Sequence, residues 1–145
     1  MTECKTNIDE LITKIKCYAR EHVTKNRFEH SVRTAEMCSK LCSLYNLDSN
    51  LGYLEGIAHD MCKSFEPEKL IEFSKKDNEP VSEIEMEKPS LLHGRAAAVL
   101  LEEEFDFHDQ RIIEAVANHT FGKVSMGDMQ KFCLLLIKLN LAVNI

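Results

Sequence analysis

The chain has 145 residues, 44% of them hydrophobic, and a net charge of −6, enough for one domain that removes about two-thirds of its unfolded surface from water. An acidic chain with no Lys/Arg cluster excludes general binding to nucleic-acid phosphates, which depends on counterion release at a basic face. The polar, acidic start MTECKTNIDE lacks the basic and apolar regions of a secretory signal, and the six cysteines (Cys4, Cys17, Cys38, Cys42, Cys62, Cys133) contain no Cys-x-x-Cys pair, so a cytoplasmic protein with free thiols is expected.

Apolar residues recur at helical spacing almost throughout and no stretch alternates as a strand, which predicts an all-α fold. Ile8, Leu11, Ile12 and Ile15 form a first stripe behind a Thr6/Asn7 cap, with Asp9 and Glu10 in the first turn, where the helix dipole favours carboxylates. A second helix is expected from about Asn26 to Tyr45, ended by YNLDSN, with Asp48 capping the next. The third helix carries Leu51, Leu54, Ile57 and Ala58 and continues in helical pattern through HDMCK. Pro67 opens a short fourth helix over EPEKLIEFSKK, while DNEPVSEIEMEKPS, with two prolines and five acidic residues, reads as a loop. LLHGRAAAVLLEEEF and DQRIIEAVANHT are two further helices, FGKVSMG is a loop, and a last helix opens between Gly127 and Lys131. The apolar tail KFCLLLIKLNLAVNI is too short for a membrane span and is interrupted by Lys138, Asn140 and Asn144, so it is expected to be core and no membrane contact is expected.

Four of the six histidines, His30, His59, His93 and His119, fall on separate helices at positions where an inward turn brings them together, and Asp60 follows His59 directly. His22 and His108 lie among Glu, Thr, Asp and Gln near helix ends and read as surface residues. Adjacent residues on a helix point about 100° apart, so His59 and Asp60 reach one point only in a crevice between them. Imidazole combined with carboxylate suits iron, manganese or zinc, and the lack of paired cysteines disfavours a structural zinc site. The alternative is a hydrogen-bonded polar core, which leaves so many buried polar groups short of partners.

The ordered segments RFEH (27–30), IAHDMCK (57–63), LLHG (91–94) and NHTFGKVSM (118–126) resemble the HD superfamily of metal-dependent phosphohydrolases. More narrowly they resemble the YqeK family of symmetrical bis(5'-nucleosyl)-tetraphosphatases, from about Asn26 to Lys131. The resemblance implies a bundle of about six to seven helices forming a single HD domain over residues 1–145. It also implies a binuclear metal centre, of iron, manganese or another divalent metal, in which His30, His59 and Asp60 hold one ion, His93 and His119 the second, and Asp60 bridges. Arg27 and Thr120 are then expected on the nucleotide phosphates, close to His30, His93 and His119. Lys63, one turn after His59, would be a further cation facing the polyphosphate. The implied reaction cuts diadenosine tetraphosphate into two ADP by attack of a hydroxide held at the metals, with His59, Asp60 and Lys63 as the catalytic expectations, and a homodimer is the implied assembly. Cys62 stands where the family usually has a small residue such as Ala, and Ser64 where it often has Asp; neither removes a ligand.

The family also places an Asp in the last helix, in a segment like Ala-Asp-Lys-Ile-Glu-Pro-x-Arg, whereas no Asp, Glu or Arg follows Lys131 here. LLIKLNLAVNI can be encoded by DNA that, read in another frame, spells Ala-Asp-Lys-Ile-Glu-Pro-Gly-Arg-Glu-Tyr. The segment 132–145 is therefore expected to be a frameshifted end. A chain lacking that Asp and Arg is expected to be a weakly active or inactive nucleotide- or metal-binding remnant, or else an HD phosphohydrolase acting on another nucleotide.

Overall fold

A computed structural model describes residues 7–120. The expectations for the last helix, its shifted frame and the cysteines at 4 and 133 fall outside the described residues. Within them the chain is all-α, with no strand.

α1 (Ile8–His22) starts where the Asn7 side chain accepts the Asp9 N–H, leaving Asp9 and Glu10 in its first turn, and buries Leu11, Ile15 and Ala19. α2 (Lys25–Leu44) is capped by Thr24, whose side chain accepts the Arg27 N–H. It ends at a turn in which Asn46 adopts φ 58, a left-handed conformation that Asn tolerates. Asp48 accepts the Asn50 and Leu51 N–H groups and opens α3 (Ser49–Ala58).

Here the structure departs from the expectation of a continuous helix through HDMCK. α3 stops at Ala58, and the chain turns through tight bonds from Met61 N–H to the Ala58 carbonyl, 3.1 Å, and from Lys63 N–H to the Asp60 carbonyl, 3.0 Å. Tightening the coil changes the angle between successive side chains, which periodicity of apolar residues does not report.

α4 (Pro67–Lys75) follows with its proline in the first turn. The stretch expected to be loop contains a short helix, α5 (Glu83–Glu87), and a 3₁₀ turn (Pro89–Leu92). The signal was Ser82-x-x-Glu85: the Ser82 hydroxyl takes the Glu85 N–H and the Glu85 carboxylate takes the Ser82 N–H, a reciprocal cap that starts a helix even in an acidic, proline-flanked segment. α6 (His93–Glu103) and α7 (Gln110–Ala117) complete the described chain.

α3 lies at the centre, packed on α1, α2 and α7. Leu54, Ile57, Leu92, Leu101 and Ile112 are fully buried with Ile15, and each such aliphatic side chain contributes about 1.5–3 kcal/mol by leaving water. Two glycines let α2 and α3 meet closely: a Cβ on Gly56 would come 2.5 Å from the Ala35 Cα, and one on Gly52 would come 2.7 Å from the Cys42 sulfur. This contact brings His30 on α2 and His59 after α3 into register. Arg95 on α6 ties down the segment after α4, donating to Asp77, Glu85 and the carbonyls of Ser74, Glu79 and Pro80.

Candidate metal centre

Apart from His30, in the second turn of α2, the polar residues of the site stand at helix ends. His30 projects from α2, His59 and Asp60 from the turn after α3, His93 from the first position of α6 and His119 from just beyond α7. All five are at least nine-tenths buried. Gly94 permits the last approach, since a Cβ there would stand 2.8 Å from the Val116 carbonyl oxygen and 2.9 Å from His119 Nδ1. With no side chain at that position α6 rests on the end of α7, and the Nε2 atoms of His93 and His119 come within 2.9 Å.

Three of the imidazoles are aimed in the same way. Nδ1 of His59 lies 2.6 Å from the Gly56 carbonyl, Nδ1 of His93 2.7 Å from Ser90, and Nδ1 of His119 2.7 Å from Val116. In each case the carbonyl belongs to the residue three positions earlier. A carbonyl can only accept, so each Nδ1 donates its hydrogen, and the Nε2 atoms turn inward. Outward hydrogen bonds of this kind fix the tautomer and orientation of metal-binding histidines.

Asp60 sits between two groups. Its Oδ2 is 3.2 Å from His59 Nε2, and its Oδ1 is 3.1 Å from His93 Nε2 and 3.7 Å from His119 Nε2. Two triads share this carboxylate, His30–His59–Asp60 and Asp60–His93–His119, and within each triad one donor atom per residue lies within 4.8 Å of the others. Lone pairs converging at these separations repel unless a positive charge sits among them. Burial alone would raise the Asp60 carboxyl, but the charge of the adjacent His59 outweighs it and holds the group far below the ordinary carboxylate range. His59 feels burial pulling it down, yet the adjacent Asp60 charge and hydrogen bond raise it. His119 and His30 are both lowered, chiefly by burial, which leaves their imidazoles neutral and available as ligands. Imidazole nitrogens and an ionised carboxylate gathered in one buried crevice are a donor set that fits a divalent transition metal.

Arg27 is also at the site, with Nη1 3.2 Å from Asp60 Oδ2. The Thr120 hydroxyl is buried beside His119 and has no hydrogen-bond partner among the described residues. Lys63 follows in the same turn as Asp60, and its side chain is exposed. His22 and His108 lie apart: His22 stacks on Tyr18 at 3.8 Å, and His108 pairs with Asp106 and Glu102 on the surface. Cys38, Cys42 and Cys62 are buried free thiols and Cys17 is an exposed one. The backbone carbonyls of Gly56, Ser90 and Val116 are site groups that sequence reasoning missed. Their signal is the histidine itself at a helix end, where carbonyls lose helical partners.

These features belong together in one family. The HD domain model matches residues 27–142, and the chain belongs to the HD-domain family. Among curated proteins, the symmetrical bis(5'-nucleosyl)-tetraphosphatase of Staphylococcus aureus is 30% identical over 120 residues, covering 83% of this chain and 61% of that protein. The protein of the same name from Halalkalibacterium halodurans is 26% identical over 116 residues, covering 80% of this chain and 62% of that one. The chain thus spans about three-fifths of the length of these relatives. A crystal structure of a predicted HD superfamily hydrolase involved in NAD metabolism, from Clostridium acetobutylicum, superposes with a TM-score of 0.81 at 24% identity, covering 88% of this chain and 68% of that one. That likeness establishes the fold. Among the described residues no helix is long and apolar enough to cross a membrane.

Proposed function

We propose that the chain is a metal-dependent phosphohydrolase that cuts a dinucleoside polyphosphate symmetrically, diadenosine tetraphosphate to two ADP. The observation that carries this reading is the sharing of one buried carboxylate, Asp60, between two histidine groups, with the Nε2 atoms of His59, His93 and His119 facing it. The names of the relatives supply the substrate class.

In this reading His30, His59 and Asp60 would hold one cation, and His93 and His119 together with Asp60 would hold the other. Iron fits the mixed nitrogen and oxygen donors, as does manganese. Divalent cations there supply Lewis acidity and lower the pKa of a water molecule. The protein's own contribution is orientation and charge. The carbonyls of Gly56, Ser90 and Val116 keep the Nδ1 protons on His59, His93 and His119, so the rings cannot turn away. The ionised Asp60 offers an oxygen to each side. Arg27 and the Thr120 hydroxyl present donors to phosphate oxygens, the arginine through charge-assisted bonds. Lys63, exposed at the rim of the same turn, adds positive charge for an incoming polyphosphate.

The experiment is ADP release from diadenosine tetraphosphate with added ferrous or manganous ion, for the wild type and Asp60→Ala. Loss of metal binding and turnover together in Asp60→Ala is expected; a variant with full activity overturns the assignment. A second reading, a nucleotide- or metal-binding remnant, is favoured by the absence of Asp, Glu and Arg from the segment 132–145. Metal uptake without ADP release would select it, and faster release from another nucleotide would select a different HD substrate.

A further inference from the structure

We infer that Arg27 is shared between the two opposite charges this site handles: Asp60 holds it until a divalent cation takes Oδ2, and the freed guanidinium then binds phosphate. Cation and polyphosphate therefore bind in that order and strengthen one another. The inference rests on the reading of the site as a cation and phosphate centre.

The contested atom is Asp60 Oδ2. His59 Nε2 and Arg27 Nη1 each stand 3.2 Å from it. The same carboxylate completes the triad with His30 and His59, so a cation held there meets the guanidinium over a shared oxygen. Arginine cannot escape that repulsion by losing its proton; it can only move. The surroundings determine which partner moves. Asp60's side chain is 7% exposed and pinned by three histidines, whereas Arg27's is 36% exposed. The Arg27 backbone is fixed, its N–H donating to the Thr24 hydroxyl at 3.2 Å in the first turn of α2. The long side chain swings from an anchored Cα, and its reach keeps the charge over the site. Arg27 also lies one helical turn before His30, so both project from one face of α2. Because coupling between two ligands is reciprocal, a cation that releases Arg27 raises phosphate affinity by the factor by which phosphate raises cation affinity.

The test uses the 145-residue chain, stripped with a chelator and titrated with manganese(II) chloride by calorimetry, alongside Arg27→Met and Arg27→Lys. Arg27→Met, which keeps the length and loses the charge, is expected to bind manganese about fivefold or more tighter than wild type, while Arg27→Lys stays near wild type. In the wild type, labelling of Arg27 by phenylglyoxal, read by peptide mass against Arg111 as internal reference, is expected to rise severalfold with manganese. Equal or weaker manganese binding by Arg27→Met, or labelling unchanged by manganese, overturns the coupling and makes Arg27 a fixed support of the carboxylate. A wild-type chain that takes up no manganese overturns both the coupling and the metal reading. Manganese uptake with tighter binding by Arg27→Met upholds the coupling even where no ADP is released, a result that counts against the proposed activity alone.

Discussion

Replacing Gly94 with alanine introduces one methyl group at the place where α6 rests on the end of α7. The added Cβ would stand 2.8 Å from the Val116 carbonyl oxygen and 2.9 Å from His119 Nδ1, where ordinary contacts begin near 3.4 Å. The carbonyl belongs to backbone at the end of α7 and has little freedom, so the His119 ring gives way and its 2.7 Å bond to Val116 lengthens. Overpacking of this kind costs about 1–3 kcal/mol. Alanine in place of glycine recovers up to about 1 kcal/mol of helix propensity, so with full recovery the net loss is up to about 2 kcal/mol. Urea unfolding reads that loss as a lower midpoint at unchanged slope. Manganese titration reads the geometric effect: the Asp60–His93–His119 group should weaken while the His30–His59–Asp60 group persists. A Gly94→Ala protein with wild-type stability and both manganese sites intact would refute the claim that this close approach sets the histidine pair.

Further outcomes follow from single residues. Thr120→Val removes a buried hydroxyl that has no hydrogen-bond partner among the described residues, so stability should hold or rise by up to about 1 kcal/mol while affinity for inorganic pyrophosphate falls; a marked loss of stability in thermal unfolding would show that the fold uses the hydroxyl. Burial raises the Glu85 carboxyl, but hydrogen bonds from the Ser82 N–H and hydroxyl and from Arg95 outweigh it and hold the group below its ordinary value. A lowered carboxylate stabilises above its unfolded pKa and loses that contribution as pH falls through the folded value. The wild type should therefore exceed Glu85→Gln in stability at neutral pH, with the gap closing below about pH 4.3; a gap that stays constant on acidification would contradict the Arg95 clasp.

Much of the site was legible because chemistry is written in residue type. His30, His59, Asp60, His93 and His119 stood out as polar residues among helical stripes, and helix caps such as Asn7 and Asp48 could be read from a few neighbouring residues. α5 was hidden by its composition, since two prolines and a run of acids outweighed the Ser82–Glu85 cap in a reading based on apolar period. The end of α3 at Ala58 was hidden for a different reason. Apolar spacing reports which side of a chain is buried, not whether its coil has tightened by one residue.

By itself the sequence determined the helical class, the identity of the ligand-type side chains and their order along the chain, because local propensity and ionisable chemistry are properties of single residues and short spacings. Only the tertiary structure decided that Asp60 stands between two histidine groups, that three carbonyls turn three Nε2 atoms inward, and that Arg27 shares Oδ2 with His59. Those arrangements depend on the close contacts at Gly56 and Gly94. Contacts between residues far apart in the chain follow from how whole helices pack, and no local pattern encodes a distance across a core.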